Sequence, residues 1–321
     1  MAQPKPTLLQ QFNFPLPEQG QARLEQAFTI IRPWEAADAD AAIQQHRDSI
    51  TVLLSSALTS TPAELIDRLP NLRAICSVGV GYDSIDVLHA QGKGIQVSNT
   101  PDVLNDCVAD MAWALILGTA RNIAPADRYV RSSQWSMQNM FPLSNKVTGK
   151  KLGIVGLGRV GQAIAERAAG FKMQLRYHNR KARGDVPWEY AGSLLELASW
   201  ADILVLATVG GAATRHLVDR PVLDALGPQG ILVNIARGSV VDEAALALAL
   251  QEGRLGAAGL DVFEAEPHVP DALKSLDNVL LQPHVASATV ETRRDMFNLL
   301  VDNAIAFAQT GKVINLVPPL R

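Results

Sequence analysis

Lys150-Lys151-Leu152-Gly153-Ile154-Val155-Gly156-Leu157-Gly158-Arg159-Val160-Gly161-Gln162-Ala163-Ile164-Ala165 reads as a buried strand that runs into a glycine turn and then a helix. Ile154 and Val155 supply the β-branched end of the strand, and Gly156, Gly158 and Gly161 stand at the Gly-x-Gly-x-x-Gly spacing of a dinucleotide turn. In such a turn the first glycine bends the chain, the second admits a pyrophosphate and the third brings the helix close to the strand. The N–H groups of the helix's first turn, from Leu157 through Arg159 and Val160 to Gly161, then face the phosphates. The glycine spacing alone is weak. The strand before it, the amphipathic helix after it and a second strand at Met173–Tyr177 give it its meaning.

Working outward, the 321 residues are 48% hydrophobic and 19% charged, an ordinary globular profile for about two domains. The net charge of −3, with no basic run, points to a small-molecule ligand and away from nucleic acid. The start of the chain lacks the apolar core of a signal peptide, and no apolar run approaches the roughly 18 residues of a membrane span, so a cytoplasmic setting without membrane contact is expected. Cys76 and Cys107 have neither metal nor redox spacing and read as reduced core thiols; no metal site is expected.

Before the glycine turn, strand-like runs at Thr7–Phe12, Thr29–Ile31, Ile50–Ser55, Leu72–Ser77 and Ile95–Asn99 alternate with helices, including one expected over Asp83–Ala90. This pattern predicts a parallel sheet covered on both faces. A long helix is expected from Thr100-Pro101-Asp102, capped by Thr or Asp and linking two domains, followed by a loop-rich stretch that carries Trp135, Met140 and Phe141. Beyond Gly149 further strands at 203–207, 230–234, 257–261 and 278–281 build a second sheet. Val313–Leu316, after a final helix over 289–310, is expected to return to the first domain. The fold class is therefore α/β with two doubly wound parallel-sheet domains: a flavodoxin-like substrate domain (1–99 and 287–321) and an inserted Rossmann cofactor domain (100–286). The chain is expected to cross between them near 99–101 and 285–288.

The chemistry sits at strand ends. Where an acidic residue would accept the ribose 2′-hydroxyl, this chain has His178-Asn179-Arg180-Lys181. The absence of a carboxylate and the presence of a guanidinium and an ammonium favour a 2′-phosphate, and so NADPH over NADH. Asn234-Ile235-Ala236-Arg237-Gly238, Gly259-Leu260-Asp261-Val262-Phe263-Glu264-Ala265-Glu266-Pro267 and Gln282-Pro283-His284-Val285-Ala286-Ser287 end three successive strands, where open α/β sheets bind ligands. Alone, the arginine reads as a surface residue, the glutamate as a solvated loop acid and the histidine as structural; together they make a charge-tuned acid possible.

With Val78-Gly79-Val80-Gly81-Tyr82-Asp83, Asn99–Leu104 and Gly253–Phe263, these motifs resemble the D-isomer-specific 2-hydroxyacid dehydrogenases from about Leu72 to the C-terminus, and within them the NADPH-dependent glyoxylate, hydroxypyruvate and hydroxyphenylpyruvate reductases. The resemblance implies that Arg237 binds the substrate carboxylate and keto oxygen, that His284 transfers the proton and that Glu266 orients His284. A carboxylate beside the imidazolium favours the protonated acid, and growing charge on the keto oxygen calls for a fixed cation and a proton donor. It further implies backbone N–H groups around Gly79, Val80 and Gly81 for the substrate carboxylate and Ser287 at the substrate site. Asp261 would position the nicotinamide carboxamide, with the backbone of Ile235 and Ala236 nearby. Trp135 would reach a partner subunit's pocket in a homodimer formed by the helix from Asp102 and the Trp135 loop.

The expected reaction is NADPH-dependent reduction of small 2-ketoacids, glyoxylate and hydroxypyruvate, to D-2-hydroxyacids. The alternatives are a reductase of larger acids such as 2-ketogluconate or hydroxyphenylpyruvate and, more remotely, a binding module like the dinucleotide-sensing corepressors. Ala207-Thr208-Val209-Gly210-Gly211-Ala212 departs from the proline-containing segment of most relatives, so a looser loop is expected there.

Overall fold

A computed structural model describes residues 5–319. The chain divides into two compact units, Met1–Leu104 with Thr289–Arg321, and Asn105–Ala288.

The first unit holds five strands: β1 (Thr7–Gln10), β2 (Thr29–Ile31), β3 (Ile50–Ser56), β4 (Ala74–Val78) and β5 (Gln96–Ser98). They form one parallel sheet in the order β2-β1-β3-β4-β5. β3 and β4 are buried along nearly their whole length, the continuous apolar run that a parallel sheet covered on both faces demands. The core gathers Leu9, Leu53, Ile75, Val97 and Val317. Val317 shows where the tail goes: its N–H donates to the Val97 carbonyl at 2.8 Å, and Leu316 bridges antiparallel to Ser98.

The second unit holds β6 (Lys151–Val155), β7 (Gln174–His178), β8 (Glu189–Tyr190), β9 (Ile203–Leu206), β10 (Ile231–Asn234), β11 (Ala257–Leu260) and β12 (Val279–Leu281). All are parallel, in the order β12-β11-β10-β9-β6-β7-β8, so the direction of strand addition reverses beside β6. Ser193, Asp219 and Asp242 cap three of its helices by accepting backbone N–H groups.

Two expected helices start later than the sequence suggested. The helix expected over Asp83–Ala90 spans Val87–Gly92, because Ile85 first bridges to Thr61 and Asp86 supplies the cap. The long helix spans Asn105–Ala120: Asp102 has φ +71°, and the Thr100 hydroxyl accepts the Gly79 N–H at 2.9 Å. It belongs to the second unit, where Val108, Ala112, Leu115 and Ile116 are buried. The helix Ile123–Arg131 and the two-residue strand β8 had no counterpart in the sequence reading. Among the described residues no helix is long and apolar enough to cross a membrane.

Candidate active site

The turn after β6 is shaped by contact. Gly156 has φ +94°, and a Cβ there would lie 2.7 Å from the Ala207 carbonyl oxygen. At Gly161 a Cβ would lie 2.2 Å from the Gly156 carbonyl oxygen, so only glycine lets the helix Arg159–Ala168 start this close. A Cβ at Gly158 would meet nothing within 4 Å: the space above the turn is open. No side chain caps that helix, which leaves its first N–H groups for a ligand. Open space and uncapped donors fit a dinucleotide pyrophosphate.

Leu157, between the two glycines, is gripped through its backbone. Its N–H donates to Asn179 Oδ1 at 2.7 Å, and its carbonyl accepts from Arg183 Nη1 at 2.7 Å. Arg183 is itself forked onto Asp185, with Nε 2.9 Å from Oδ1. Asn179 therefore has its oxygen committed and its amide hydrogens left to offer. Arg180 and Lys181 are exposed and make no ion pair among the described residues. Sequence reasoning missed Arg183; nothing in its spacing from the glycines sets it apart from its two basic neighbours.

At the end of β10, Asn234 ties the arginine turn together: its amide nitrogen donates to the Arg237 carbonyl at 2.9 Å and its oxygen accepts the Ala236 N–H at 3.0 Å. Ile235 and Ala236 are buried beneath the turn, and Arg237 Nη1 donates to the Ala236 carbonyl at 2.8 Å. Gly238 follows, pressed so hard on the next loop that a Cβ would fall 1.8 Å from the Phe263 carbonyl carbon. That contact sets the arginine turn against the acid turn.

After β11 the acid turn folds on itself. The Phe263 N–H donates to Glu266 Oε1 at 2.9 Å, while Glu266 Oε2 lies 2.7 Å from His284 Nδ1. His284 Nε2 has no partner among the described residues, so one ring nitrogen is fixed and the other is presented. His284 has φ +55°, and its N–H donates to the Asp261 carbonyl at 2.8 Å. Burial pushes the Glu266 carboxyl up, but the His284 hydrogen bond, the Phe263 N–H and the charges of His284 and Arg237 outweigh it and hold the carboxyl below its ordinary value.

Asp261, expected at the cofactor carboxamide, is fully buried. Its two carboxylate oxygens accept the N–H groups of Val285 and Ala286 at 2.8 and 2.9 Å. In this structure it braces the histidine loop, and burial raises its pKa despite those bonds. Ser287, next along, is half-buried and makes no hydrogen bond among the described residues.

Arg215, His216, Glu243 and Glu264 had no role in the sequence reading. Glu264 receives Arg215 Nη2 at 2.6 Å and His216 Nε2 at 3.1 Å, and its N–H donates to Glu243 Oε1 at 2.7 Å. The His216 N–H donates to the Ser239 carbonyl at 2.8 Å. The loop after β9, expected to be loose, is thus anchored at its far end to both the arginine and acid turns. Its Gly-Gly part is gathered by Thr214, whose hydroxyl donates to the Val209 and Gly211 carbonyls at 2.8 and 3.2 Å.

In the first unit, Gly79 has φ +122° and its N–H is already taken by Thr100, so the donors left beside it are those of Val80 and Gly81. Trp135 is 63% exposed in the second unit. Cys76 is buried, with its thiol pushed up to about 12, while Cys107 points its sulfur at the Ala286 carbonyl at 3.2 Å. Both are free.

A parallel sheet with an open glycine turn at its switch point, and an arginine, a glutamate and a histidine on three neighbouring strand ends, define an NAD(P)-dependent oxidoreductase. Residues 113–286 match the family model for the NAD-binding domain of D-isomer-specific 2-hydroxyacid dehydrogenases. The chain is 49% identical over 280 residues to glyoxylate/hydroxypyruvate reductase A of Arabidopsis thaliana, covering 87% of this chain and 89% of that one. It is 46% identical over 280 residues to hydroxyphenylpyruvate reductase of Plectranthus scutellarioides, with the same coverage. The crystal structure of an NADPH-dependent glyoxylate/hydroxypyruvate reductase from Sinorhizobium meliloti, in complex with NADP and malonate, superposes with a TM-score of 0.90 at 41% identity, covering 98% of this chain and 97% of that one. The chain belongs to the D-isomer-specific 2-hydroxyacid dehydrogenases.

Proposed function

We propose that the protein reduces small 2-ketoacids, glyoxylate and hydroxypyruvate, to D-2-hydroxyacids at the expense of NADPH. The observation that carries this reading is the His284–Glu266 pair, 2.7 Å apart, with the other imidazole nitrogen unpartnered among the described residues and the Arg237 charge acting on the same carboxylate. A reduced nicotinamide bound at this fold supplies a hydride. As the keto carbon accepts it, the carbonyl π bond breaks and negative charge grows on oxygen; His284 delivers the proton from Nε2, and Arg237 stabilises the developing charge. Glu266 holds the ring by Nδ1, 2.7 Å away, and so fixes which nitrogen is presented. The backbone N–H groups of Val80 and Gly81 are available donors for the substrate carboxylate, and Ser287 has a free hydroxyl for a substrate oxygen.

The preference for NADPH is supported by a rim of donors after β7: the Asn179 amide hydrogens, Arg180 and Lys181, with no uncommitted carboxylate to accept a ribose hydroxyl. Asp261 keeps a bracing role in this reading; through the Val285–Ala286 backbone it fixes the floor beneath the nicotinamide. A homodimer is supported by apolar side chains left in water between 123 and 143: Ile123, Val130, Trp135, Met137, Met140 and Leu143, the last fully exposed. The long helix expected to share that contact is largely buried within its own unit, so the surface rests on Ile123–Arg131 and the Trp135 loop. A reducing cytoplasm suits the two free thiols.

The test is steady-state oxidation of NADPH and, separately, NADH with glyoxylate and hydroxypyruvate, compared as kcat/KM. Fast NADPH-linked turnover of both acids is expected. Binding of the dinucleotide without turnover of either acid, or of the larger ones, turns the reading to a sensing module.

A further inference from the structure

The acid turn is held through three hydrogen bonds in series. His284 Nδ1 lies 2.7 Å from Glu266 Oε2, Glu266 Oε1 accepts the Phe263 N–H at 2.9 Å, and the next N–H along the chain, that of Glu264, donates to Glu243 Oε1 at 2.7 Å. The peptide between Phe263 and Glu264 is also what Gly238 meets: a Cβ on Gly238 would fall 1.8 Å from the Phe263 carbonyl carbon and 2.2 Å from the Glu264 nitrogen. Gly238 leaves that peptide no slack on one side, and Glu243 fixes it by its N–H on the other. The Glu264 side chain is drawn elsewhere, to Arg215 and His216 in the loop after β9.

Glu243 opens the helix Glu243–Gln251, directly behind its cap Asp242. An acid in a first helical turn is favoured by the macrodipole while it stays in water. Glu243 is instead half-buried and turned onto the acid turn. Burial, joined by the charges of Glu264 and Glu266, pushes its carboxyl above the ordinary value, although the Glu264 N–H and His268 pull the other way. A carboxylate placed where the fold disfavours its charge calls for a use, and the bond to the Glu264 N–H supplies one.

We propose that Glu243 is a positioning residue for the proton transfer: by accepting the Glu264 N–H it sets the acid turn, and through Glu266 it aims the His284 ring. This rests on the reaction proposed above. Glu243→Ala removes the acceptor, Glu243→Gln keeps an acceptor oxygen without the charge, and Glu243→Asp keeps the charge without the reach. With glyoxylate and NADPH, the alanine and aspartate variants each lower kcat about tenfold and leave KM for NADPH within about twofold, whereas the glutamine variant stays within about twofold of wild type in both. Should the alanine variant fail to fold, the aspartate variant carries the comparison. A reading without turnover comes from the cofactor-free protein. The Nδ1–H proton of His284, located in NMR spectra by its loss in His284→Asn, shifts in Glu243→Ala and Glu243→Asp and keeps its place in Glu243→Gln.

Full kcat in the alanine or aspartate variant overturns the positioning role and leaves the reaction standing. So does a glutamine variant as slow as the alanine one, or a fall in kcat accompanied by an equal rise in KM for NADPH, the mark of a loosened cofactor site. Failure of the wild type to reduce glyoxylate or hydroxypyruvate overturns the reaction instead. The His284 resonance then decides the positioning: a shift with aspartate or alanine that glutamine does not produce upholds it, and any other pattern removes it as well.

Discussion

Arg180 and Arg183 are three positions apart and do opposite things. Arg180 is exposed and makes no ion pair among the described residues, and in the proposed reading it pairs with the 2′-phosphate; Arg183 is spent on the Leu157 carbonyl and on Asp185. Arg180→Ala should therefore raise KM for NADPH about tenfold or more and barely alter that for NADH. Arg183→Ala, by releasing the glycine turn, should weaken both cofactors alike; a loss confined to NADPH would make it a phosphate ligand instead. Glu266 offers a pH test. Its carboxyl sits below its ordinary value of 4.5 in the folded protein, so the stability it contributes is present above that value and is lost as pH falls through the lowered one. Glu266→Gln should flatten the fall in Tm on acidification through that range, and by loosening the His284 ring should lower kcat for reduction about tenfold or more. An unchanged kcat would remove Glu266 from the chemistry. Arg237, Glu266 and His284 could be proposed from the sequence because each follows a strand in a recognisable motif. Arg183, His216 and Glu264 could not, because their partners come from other loops and only the fold brings them together.

At the scale of elements, the site is a set of turns pressed together. Gly238 is the point of closest approach, since a Cβ there would collide with the Phe263 carbonyl. Gly238→Ala should part the arginine turn from the acid turn, lowering kcat by about tenfold or more and stability by about 1–3 kcal/mol; circular dichroism and kinetics together check this. The sheets were legible from their apolar runs, whose β-branched residues and length mark buried parallel strands. Helix starts were less so. The start at Asn105 depends on Asp102 adopting φ +71° and on Thr100 bonding Gly79, a partner 21 residues away that no local pattern reveals. The strand β8 is two residues long at a sheet edge, too short for any periodicity. The loop after β9 looked loose for want of a proline, but Arg215 and His216 tie it down through Glu264, another contact that sequence distance hides.

For the whole molecule, the exposed apolar run from Ile123 to Leu143 predicts self-association. Replacing Trp135 and Met140 together by serine should shift sedimentation at micromolar concentration from dimer toward monomer, while a wild type that sediments as a monomer would remove the interface. The topology carries a further consequence, for synthesis. The second unit is one uninterrupted stretch, Asn105–Ala288, whereas the first needs Thr289–Arg321 to finish it, with Val317 seated in its core. Domains fold as units while the chain emerges from the ribosome at about 5–20 residues per second. The half made first must therefore wait for the half made second, and β1 to β5 spend the interval without the last helix and the Leu316–Ser98 bridge. A nascent chain halted before residue 289 should resist protease in its later segment and yield in its earlier one, the reverse of the order in which the two were made.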